Sequence, residues 1–463
     1  MKLDFKKIDW RIVALILILI FAFFIRIYSL GIPTLWVDEA TSSMSSKLIL
    51  EKGLPIFDSG LLYSRAYLFH YSQAFFFLFG VNDFNARLPS VIFGLLTIIL
   101  IFFVGNEYSK NCGIISALLT SVFYLEVFFS RQARFYQLFQ LLFFSSLYFL
   151  YKGKKNKKLF YLSLVLMLLC ISVQIEGLVL APVFIFYILY FYKGKLKYFS
   201  IVPMLPLIKK FFGAVGLSSG SAGVFKNYAE DYFLFSMNFL YLLLFSALGL
   251  IIGLFKKKEL TLLLLIPALA TLLGIFTLPV FAFRYAYFFV FLLILYTAVL
   301  FSFLIDKYGK LIWISVFLLI IIPSNLFLTY NATNIILPID NNFNDYSSPY
   351  TDYKNVNLNL TEKPMITYFS SDFEWYFKKP DYVLPFSMNG LGHDQISINK
   401  SGELVDKYSG AKILIKKPED GYYLFADGFS VSKLKKDQLE FHDNLTNGCD
   451  LIWDEVDLKV WDC

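Results

Sequence analysis

Charge is scarce in this chain. Only 17% of its 463 residues are Asp, Glu, Lys or Arg, where a soluble domain carries roughly a quarter. A soluble protein of this length is excluded, because too little charge remains to cover its surface. Histidine (three) and cysteine (four) are equally sparse. With so few, a His-rich metal site is out, and no CxxC or Cys/His set marks structural zinc. The net charge of +7 forms no basic patch, which excludes nucleic-acid binding. What fills the chain instead is 57% hydrophobic residues, 53 Phe and 31 Tyr among them, at a mean hydropathy of +0.61. Runs such as IVALILILIFAFFI can be solvated only by lipid or by one another.

A helix crossing hydrocarbon needs about 20 mostly apolar residues. Such stretches fall at 11–30, 87–106, 112–129, 135–151, 159–175, 177–192, 198–214, 232–255, 260–278, 281–304 and 311–329, which predicts an all-α polytopic membrane bundle of about eleven spans. The first span is too long for a cleavable signal, and no small-residue cleavage site follows it.

Lysine sets the expected orientation, because basic residues of short loops stay in the cytoplasm. The N-terminus carries Lys2, Lys6, Lys7 and Arg11, and every second loop thereafter is Lys-rich. Those loops hold Lys110, Lys152 to Lys158, Lys193 to Lys197, Lys256 to Lys258, and Lys307 with Lys310. The N-terminus is therefore expected in the cytoplasm, and the 31–86 loop and the C-terminal end outside.

The charge changes sign near Tyr330. Residues 331–463 hold 13 Lys against 21 Asp and Glu, leaving 29 basic and 14 acidic residues, with all seven Arg, to the first 330. This predicts two domains, a membrane domain over 1–330 and a hydrophilic extracytoplasmic domain over 331–463. Strand-like runs at PMITYF, AKILIKK, GYYLFA and LKVW, set between Gly, Asp and Asn turns, read as mixed α/β. Sequons at Asn331, Asn359 and Asn444 and the pair Cys449 and Cys463 suit an outside location. Cys112 and Cys170 lie in apolar spans and read as small buried hydrophobes.

Ionisable residues at span ends are functional candidates, because charge near hydrocarbon is costly. The outer ends supply Asp38 and Glu39 in LWVDEA, Arg65, His70 and Tyr71 in YSRAYLFHYSQ, and Arg87 in ARLPS. Further along come Arg131, Arg134 and Tyr136 in SRQARFYQ, then Glu176, Lys209, Lys210, Glu230, Asp231, Arg284 and Tyr285. Asp38-Glu39 sits beside Trp36, expected as a membrane-interface anchor on an irregular segment, so the two carboxylates should point different ways. One does chemistry while the other orients or binds. Arg131 and Arg134, three apart, are expected to share a helical face and to form an anion site, guanidinium being permanently charged and forked toward phosphate oxygens. Lys209-Lys210 reads equally as a headgroup contact or a phosphate ligand.

The order of these motifs resembles the polyprenyl-phosphate-dependent glycosyltransferases of the GT-C fold, which include protein O-mannosyltransferases and lipid A aminoarabinose transferases. W-V-D-E-A closes the first span, Y-S-R-A-Y-L-F-H-Y follows in the outer loop, and A-R-L-P-S opens the next span. Q-A-R-F-Y opens the fourth, and R-Y comes late in the bundle. The resemblance covers roughly residues 10–300. It implies an outward-facing active site, a sugar donor on a dolichyl- or undecaprenyl-type phosphate, and an Asp base, a role that falls on Asp38. Glu39 matches the motif's second acid. Arg131, Arg134 and Tyr136 match its second outer motif, and Arg65, His70, Arg284 and Tyr285 complete the expected substrate contacts. Where relatives carry two prolines after the His, this chain has Tyr71-Ser72. The acceptor is a glycan, lipid or protein hydroxyl. Some such enzymes hold a divalent ion on acidic residues, whereas Asp38 and Glu39 are too few ligands to predict one.

The chemistry agrees with that implication. A polyprenyl phosphate leaves as a stable anion, so the site needs cations for the developing charge and a carboxylate to take the acceptor's proton. The rival readings are a transporter or flippase of lipid-linked sugars, and a receptor whose tail does the work. No inverted repeat favours transport.

Overall fold

A computed structural model describes residues 9–191, 207, 240–275, 283–309 and 311–321, then 351–463 without 352, 355, 359, 361, 369, 385–395, 400, 420, 433, 435 and 456. In chain order the helices are α1 Trp10–Ile27, α2 Val37–Lys52, α3 Tyr67–Phe77, α4 Asp83–Asn106, α5 Lys110–Val122, α6 Tyr124–Phe129, α7 Tyr136–Gly153 and α8 Lys157–Val173. They continue with α9 Leu180–Phe191, α10 Leu240–Ile275, α11 Phe283–Ala286, α12 Val290–Tyr308 and α13 Ile312–Ile321. The tail adds β1 Met365–Thr367, α14 Ser370–Tyr376, β2 Tyr382–Val383, β3 Ile396–Ile398, β4 Leu404–Asp406, β5 Lys412–Ile413 and β6 Tyr423–Asp427. After these come α15 Gly428–Ser432, α16 Lys436–Thr446, β7 Asp450–Glu455 and β8 Leu458–Asp462. Residues 1–28, 65–69 and 90–334 form one compact unit, and 29–64, 70–89 and 335–463 another. The 29–64 segment thus groups with the tail.

The first unit is the apolar bundle. Asp9 caps α1 by accepting from the Arg11 amide. Ile16, Leu17, Ile20 and Phe24 of α1 stay exposed while Leu15, Ala22 and Arg26 are buried. That is how a helix looks when one face packs on protein and the other on lipid. Among the described residues four helices, Trp10–Ile27, Asp83–Asn106, Leu240–Ile275 and Arg284–Tyr308, are long and apolar enough to cross a membrane. The expected span 112–129 is two helices, because the backbone turns extended at Phe123 (φ −65°, ψ 126°). The expected 177–192 span starts as a 3-10 turn, Ile175–Val179. The spans 232–255 and 260–278 appear as two arms of α10 that meet at non-helical Lys257 (φ −146°, ψ 56°). A Cβ on Gly253 would lie 3.2 Å from Thr261 Oγ1, so the arms fold back on each other; eight residues along a straight helix separate by about 12 Å. The expected span 198–214 lies outside the described residues, apart from position 207. Gly249 lets α10 and α12 touch, since a Cβ there would sit 1.7 Å from the Tyr296 carbonyl oxygen. Small residues serve helix contacts in this way in membranes.

The second unit is built on an eight-stranded sheet of order β3-β4-β5-β2-β1-β6-β8-β7. Its centre, β5-β2-β1-β6, is parallel and its flanks are antiparallel. Every residue of β6 is buried, as in a central parallel strand covered on both faces. Ile366, Leu384, Leu424 and Leu445 form the core on one side, and Met365, Phe373, Phe425 and Val460 that on the other. Cys449 and Cys463 are joined in a disulfide, and Cys112 and Cys170 are free and buried. The helix α2 belongs here. It lacks hydrophobic periodicity and is held by small buried residues, Ala40 and Ser42 to Ser46 among them. Thr41, Ser45 and Ser46 donate their hydroxyls to carbonyls one turn back. Met44, Leu48, Phe57 and Tyr63 cluster with Trp375 and Tyr408 of the tail.

Candidate active site

Asp38 and Glu39 lie in the first turn of α2, a correction to the irregular segment expected there. Acids in that turn meet the positive end of the helix dipole. Asp38 is half-buried and Glu39 is buried. Trp36, expected as an interface anchor, is only 8% exposed, so protein rather than lipid covers its indole. The Trp36 amide donates to Glu39 Oε2 at 3.4 Å.

Glu39 is committed to Arg87. Arg87 Nε donates to Oε1 at 3.0 Å and Nη2 to Oε2 at 2.8 Å. Nη1 donates to the carbonyls of Leu30 and Pro33, and Nη2 also to that of Thr34, each at 2.9 Å. All five guanidinium hydrogens are therefore used. Both side chains are 2% exposed. One arginine thus ties the chain leaving the first span to the turn that carries Asp38.

Asp83 is a second anchor. Its Oδ1 accepts from Trp375 Nε1 at 2.8 Å, and its Oδ2 from the Tyr376 hydroxyl at 2.9 Å and Lys354 Nζ at 3.3 Å. The Tyr376 hydroxyl in turn accepts from the Leu35 amide at 2.6 Å. His70 is fully buried, with Nδ1 3.4 Å from Ser46 Oγ and its ring edge-on to Tyr63. Tyr71 is exposed and donates to the Gly53 carbonyl.

In the first unit Arg131 and Arg134 sit in the irregular turn between α6 and α7, which corrects their expected common helical face. The turn tightens where the Arg134 amide donates to the Gln132 carbonyl at 2.7 Å. Arg131 is fully buried, and its Nη1 donates to the carbonyls of Ile25 (2.9 Å) and Arg26 (3.3 Å) at the end of α1. Arg134 lies over the ring of Phe135 at 4.7 Å and near that of Tyr136 at 5.6 Å. Tyr136 is buried and opens α7. Arg284 and Tyr285 are half-buried neighbours on α11, the guanidinium 5.5 Å from the ring centre. Arg65 is exposed, and Glu176 lies half-buried in the 3-10 turn before α9. Lys209, Lys210, Glu230 and Asp231 lie outside the described residues.

Besides Asp83, the buried charged residues Arg26 and Glu126 of the bundle escaped the sequence reading. Arg26 is fully buried and donates to the carbonyls of Ala22, Thr120 and Ser121. It thereby satisfies the last turn of α5, as a cation at a helix C-terminus does. Gly94 keeps room beside it, since a Cβ there would lie 3.3 Å from Arg26 Nε and 2.7 Å from Ser130 Cβ. Glu126, 1% exposed, joins Gln137, Gln140 and Tyr287 in a polar cluster. A lone acid within the apolar run YLEVFF was the available signal for it. Among the described residues no three His, Cys, Asp or Glu side chains converge as a metal site would require, and Glu39 is already held by Arg87.

Residues 64–211 match the family model described as dolichyl-phosphate-mannose-protein mannosyltransferase. The structure is similar to that of apo ArnT from Cupriavidus metallidurans, with TM-score 0.59 and 12% identity over 98% of this chain and 97% of that one. The form of that ArnT bound to undecaprenyl phosphate gives 0.60 and 12% over 98% of each chain. An oligosaccharyltransferase from Archaeoglobus fulgidus, tethered to an acceptor peptide, matches at 0.52 and 12% over 81% of this chain and 64% of its own. No curated protein matches the chain. The shared fold is that of the GT-C membrane enzymes, an apolar helical bundle followed by a small mixed-sheet domain. The likeness extends to the fold over nearly the whole chain, and residues 64–211 carry the segment similar to the mannosyltransferase family.

Proposed function

We propose that this chain transfers a sugar from a polyprenyl phosphate of dolichyl or undecaprenyl type to an acceptor hydroxyl at the extracytoplasmic membrane surface. Asp38 takes the acceptor's proton as the glycosidic bond forms. The observation that carries this reading is its seat: a half-buried carboxylate on the first turn of α2, whose neighbour Glu39 is pinned by a fully used guanidinium. Glu39 in this reading is a positioning residue. Arg131, Arg134 and Arg284 supply positive charge to the leaving phosphate, and Arg131 also fixes its own turn through the α1 carbonyls. Arg65, Tyr136 and Tyr285 contact donor or acceptor, and His70 shapes the wall behind α2. The match over 64–211 and the likeness to an undecaprenyl-phosphate-bound enzyme support the donor class. The Lys-rich alternate loops support a cytoplasmic N-terminus and an outside tail over 331–463.

Mass spectrometry of surface glycans and lipid-linked sugars in a deletion strain tests the reading. Loss of the protein should shorten one glycan by a single sugar and leave its polyprenyl-phosphate donor unused on the outer leaflet. Donor accumulating on the inner leaflet instead would make the chain a flippase. A reporter active only outside the cytoplasm should work when fused after Cys463 and fail near Lys155; the reverse would put Asp38 on the wrong side.

A further inference from the structure

The polar cluster behind the arginine-bearing turn does not balance unless one extra hydrogen is present. The Tyr287 hydroxyl lies 2.7 Å from Glu126 Oε2 and 2.6 Å from Gln137 Oε1. Both distances demand a hydrogen between the oxygens, and a phenol has one to give. The orientation of Gln137 decides where it goes. Thr97 donates its hydroxyl to the Phe93 carbonyl at 2.9 Å, so at Gln137 it can only accept, and the Gln137 amide nitrogen faces it at 2.9 Å. That leaves Gln137 Oε1 toward Tyr287, which donates to it. The same amide nitrogen donates to Gln140 Oε1 at 2.9 Å, and Gln140 Nε2 to Glu126 Oε1 at 2.9 Å. The contact between Glu126 Oε2 and Tyr287 then has no hydrogen unless the carboxyl brings it. Flipping both amides does not remove the need. Gln140 Oε1 would then face Glu126 Oε1 at that same short distance, again two acceptors. Flipping one alone sets two amide oxygens or two amide nitrogens against each other.

We infer that Glu126 is a neutral carboxylic acid, donating through Oε2 to Tyr287, and that it is a positioning residue for the turn that carries Arg131 and Arg134. Glu126 sits on α6, before that turn, and Gln137 and Gln140 sit in the first turns of α7, just after it. The closed ring of hydrogen bonds clamps the two ends together. Arg26, the charged group that influences this carboxyl most, donates to backbone carbonyls of Ala22, Thr120 and Ser121 and not to it. Holding the turn with a neutral acid adds no negative charge next to residues that are to receive a phosphate. That last step rests on the proposed function, whereas the protonation does not.

Infrared difference spectroscopy of the purified full-length protein in lipid nanodiscs, wild type minus Glu126→Gln at neutral pH, reads the proton directly. The expected result is the carbonyl stretch of a protonated carboxylic acid, present in wild type and lost in the variant. Tyr287→Phe, which removes the acceptor, should shift that band to higher frequency. Subtraction cancels any other protonated carboxyls, such as those buried in the tail. A difference spectrum showing carboxylate bands alone would overturn the assignment. No turnover is needed, so this failure is distinct from failure of the transferase reading. For positioning, Glu126→Gln, whose amide nitrogen can donate to Tyr287, should restore most of the transfer rate lost in Glu126→Ala. Equal impairment of the two would overturn the positioning role.

Discussion

Replacing Arg87 should unseat the turn that carries Asp38 before any chemistry is touched. Arg87→Ala would leave the Glu39 carboxylate buried without its partner and three carbonyls, of Leu30, Pro33 and Thr34, without their donors. Removing one member of a buried pair costs about 3–5 kcal/mol. A whole domain is stable by only about 5–15 kcal/mol, so a large part of the second unit's stability is at stake. Arg87→Lys keeps a charge beside Glu39 but offers three hydrogens from one point in place of five in a fork. It should be intermediate. In the double variant Arg87→Met with Glu39→Gln, no unpaired charge remains, and the loss should be smaller than the sum of the two single losses. Thermal unfolding of the detergent-purified protein, followed by tryptophan fluorescence and by hydrogen exchange in residues 30–52, measures each effect. Arg87→Ala protein that expresses normally, unfolds at the wild-type midpoint and protects 30–52 unchanged would refute the reasoning.

Two further outcomes follow from particular groups. Arg134→Lys should weaken binding of a polyprenyl-phosphate sugar about tenfold or more, on the scale of about 1.5–3 kcal/mol for a hydrogen bond to a charged group; unchanged affinity in a titration would make Arg134 a structural cation. In the tail, burial holds the Asp427 carboxyl up at about 6, above the usual 3.8. A raised carboxyl pKa contributes stability that is full below the unfolded value and is lost as pH rises through the folded one. Hydrogen-exchange protection of β6 should therefore grow from about pH 6 to pH 4 more in wild type than in Asp427→Asn. The difference between the two proteins is the quantity to read, because burial lowers the His442 pKa and its protonation acts in the opposite sense. Equal pH profiles would remove Asp427 from the account.

The parts of this structure visible in the sequence are those with a period or a punctuation mark. Apolar runs marked the bundle helices, and the charge reversal near Tyr330 marked the sheet domain. Lys256 to Lys258 marked a boundary, and the backbone leaves the helical conformation there at Lys257, so that two helical arms meet. Four strands showed as hydrophobic runs, while β2, β3 and β4, only two or three residues long, gave no pattern to read. The seventh, Asp450–Glu455, is half acidic and hid among the charges. The helix α2 was invisible because most of its buried residues are serines, a threonine and an alanine, which leave no hydrophobic period to read. Nor could the roles of neighbouring acids be separated in sequence. The position of Arg87, 48 residues later, sets Glu39 apart from Asp38.

The central claim is that Asp38 is the base of a sugar transfer, and single-turnover transfer by purified Asp38→Asn enzyme tests it most directly. With radiolabelled polyprenyl-phosphate sugar and an acceptor extract from the deletion strain, wild type should form the glycoside and release polyprenyl phosphate. The variant keeps the shape of the side chain and loses its basicity. Its rate should fall about a hundredfold or more, with donor binding and thermal midpoint close to wild type. Transfer at the wild-type rate would contradict the account and turn attention to Glu39, Glu176 or Asp231 as the base.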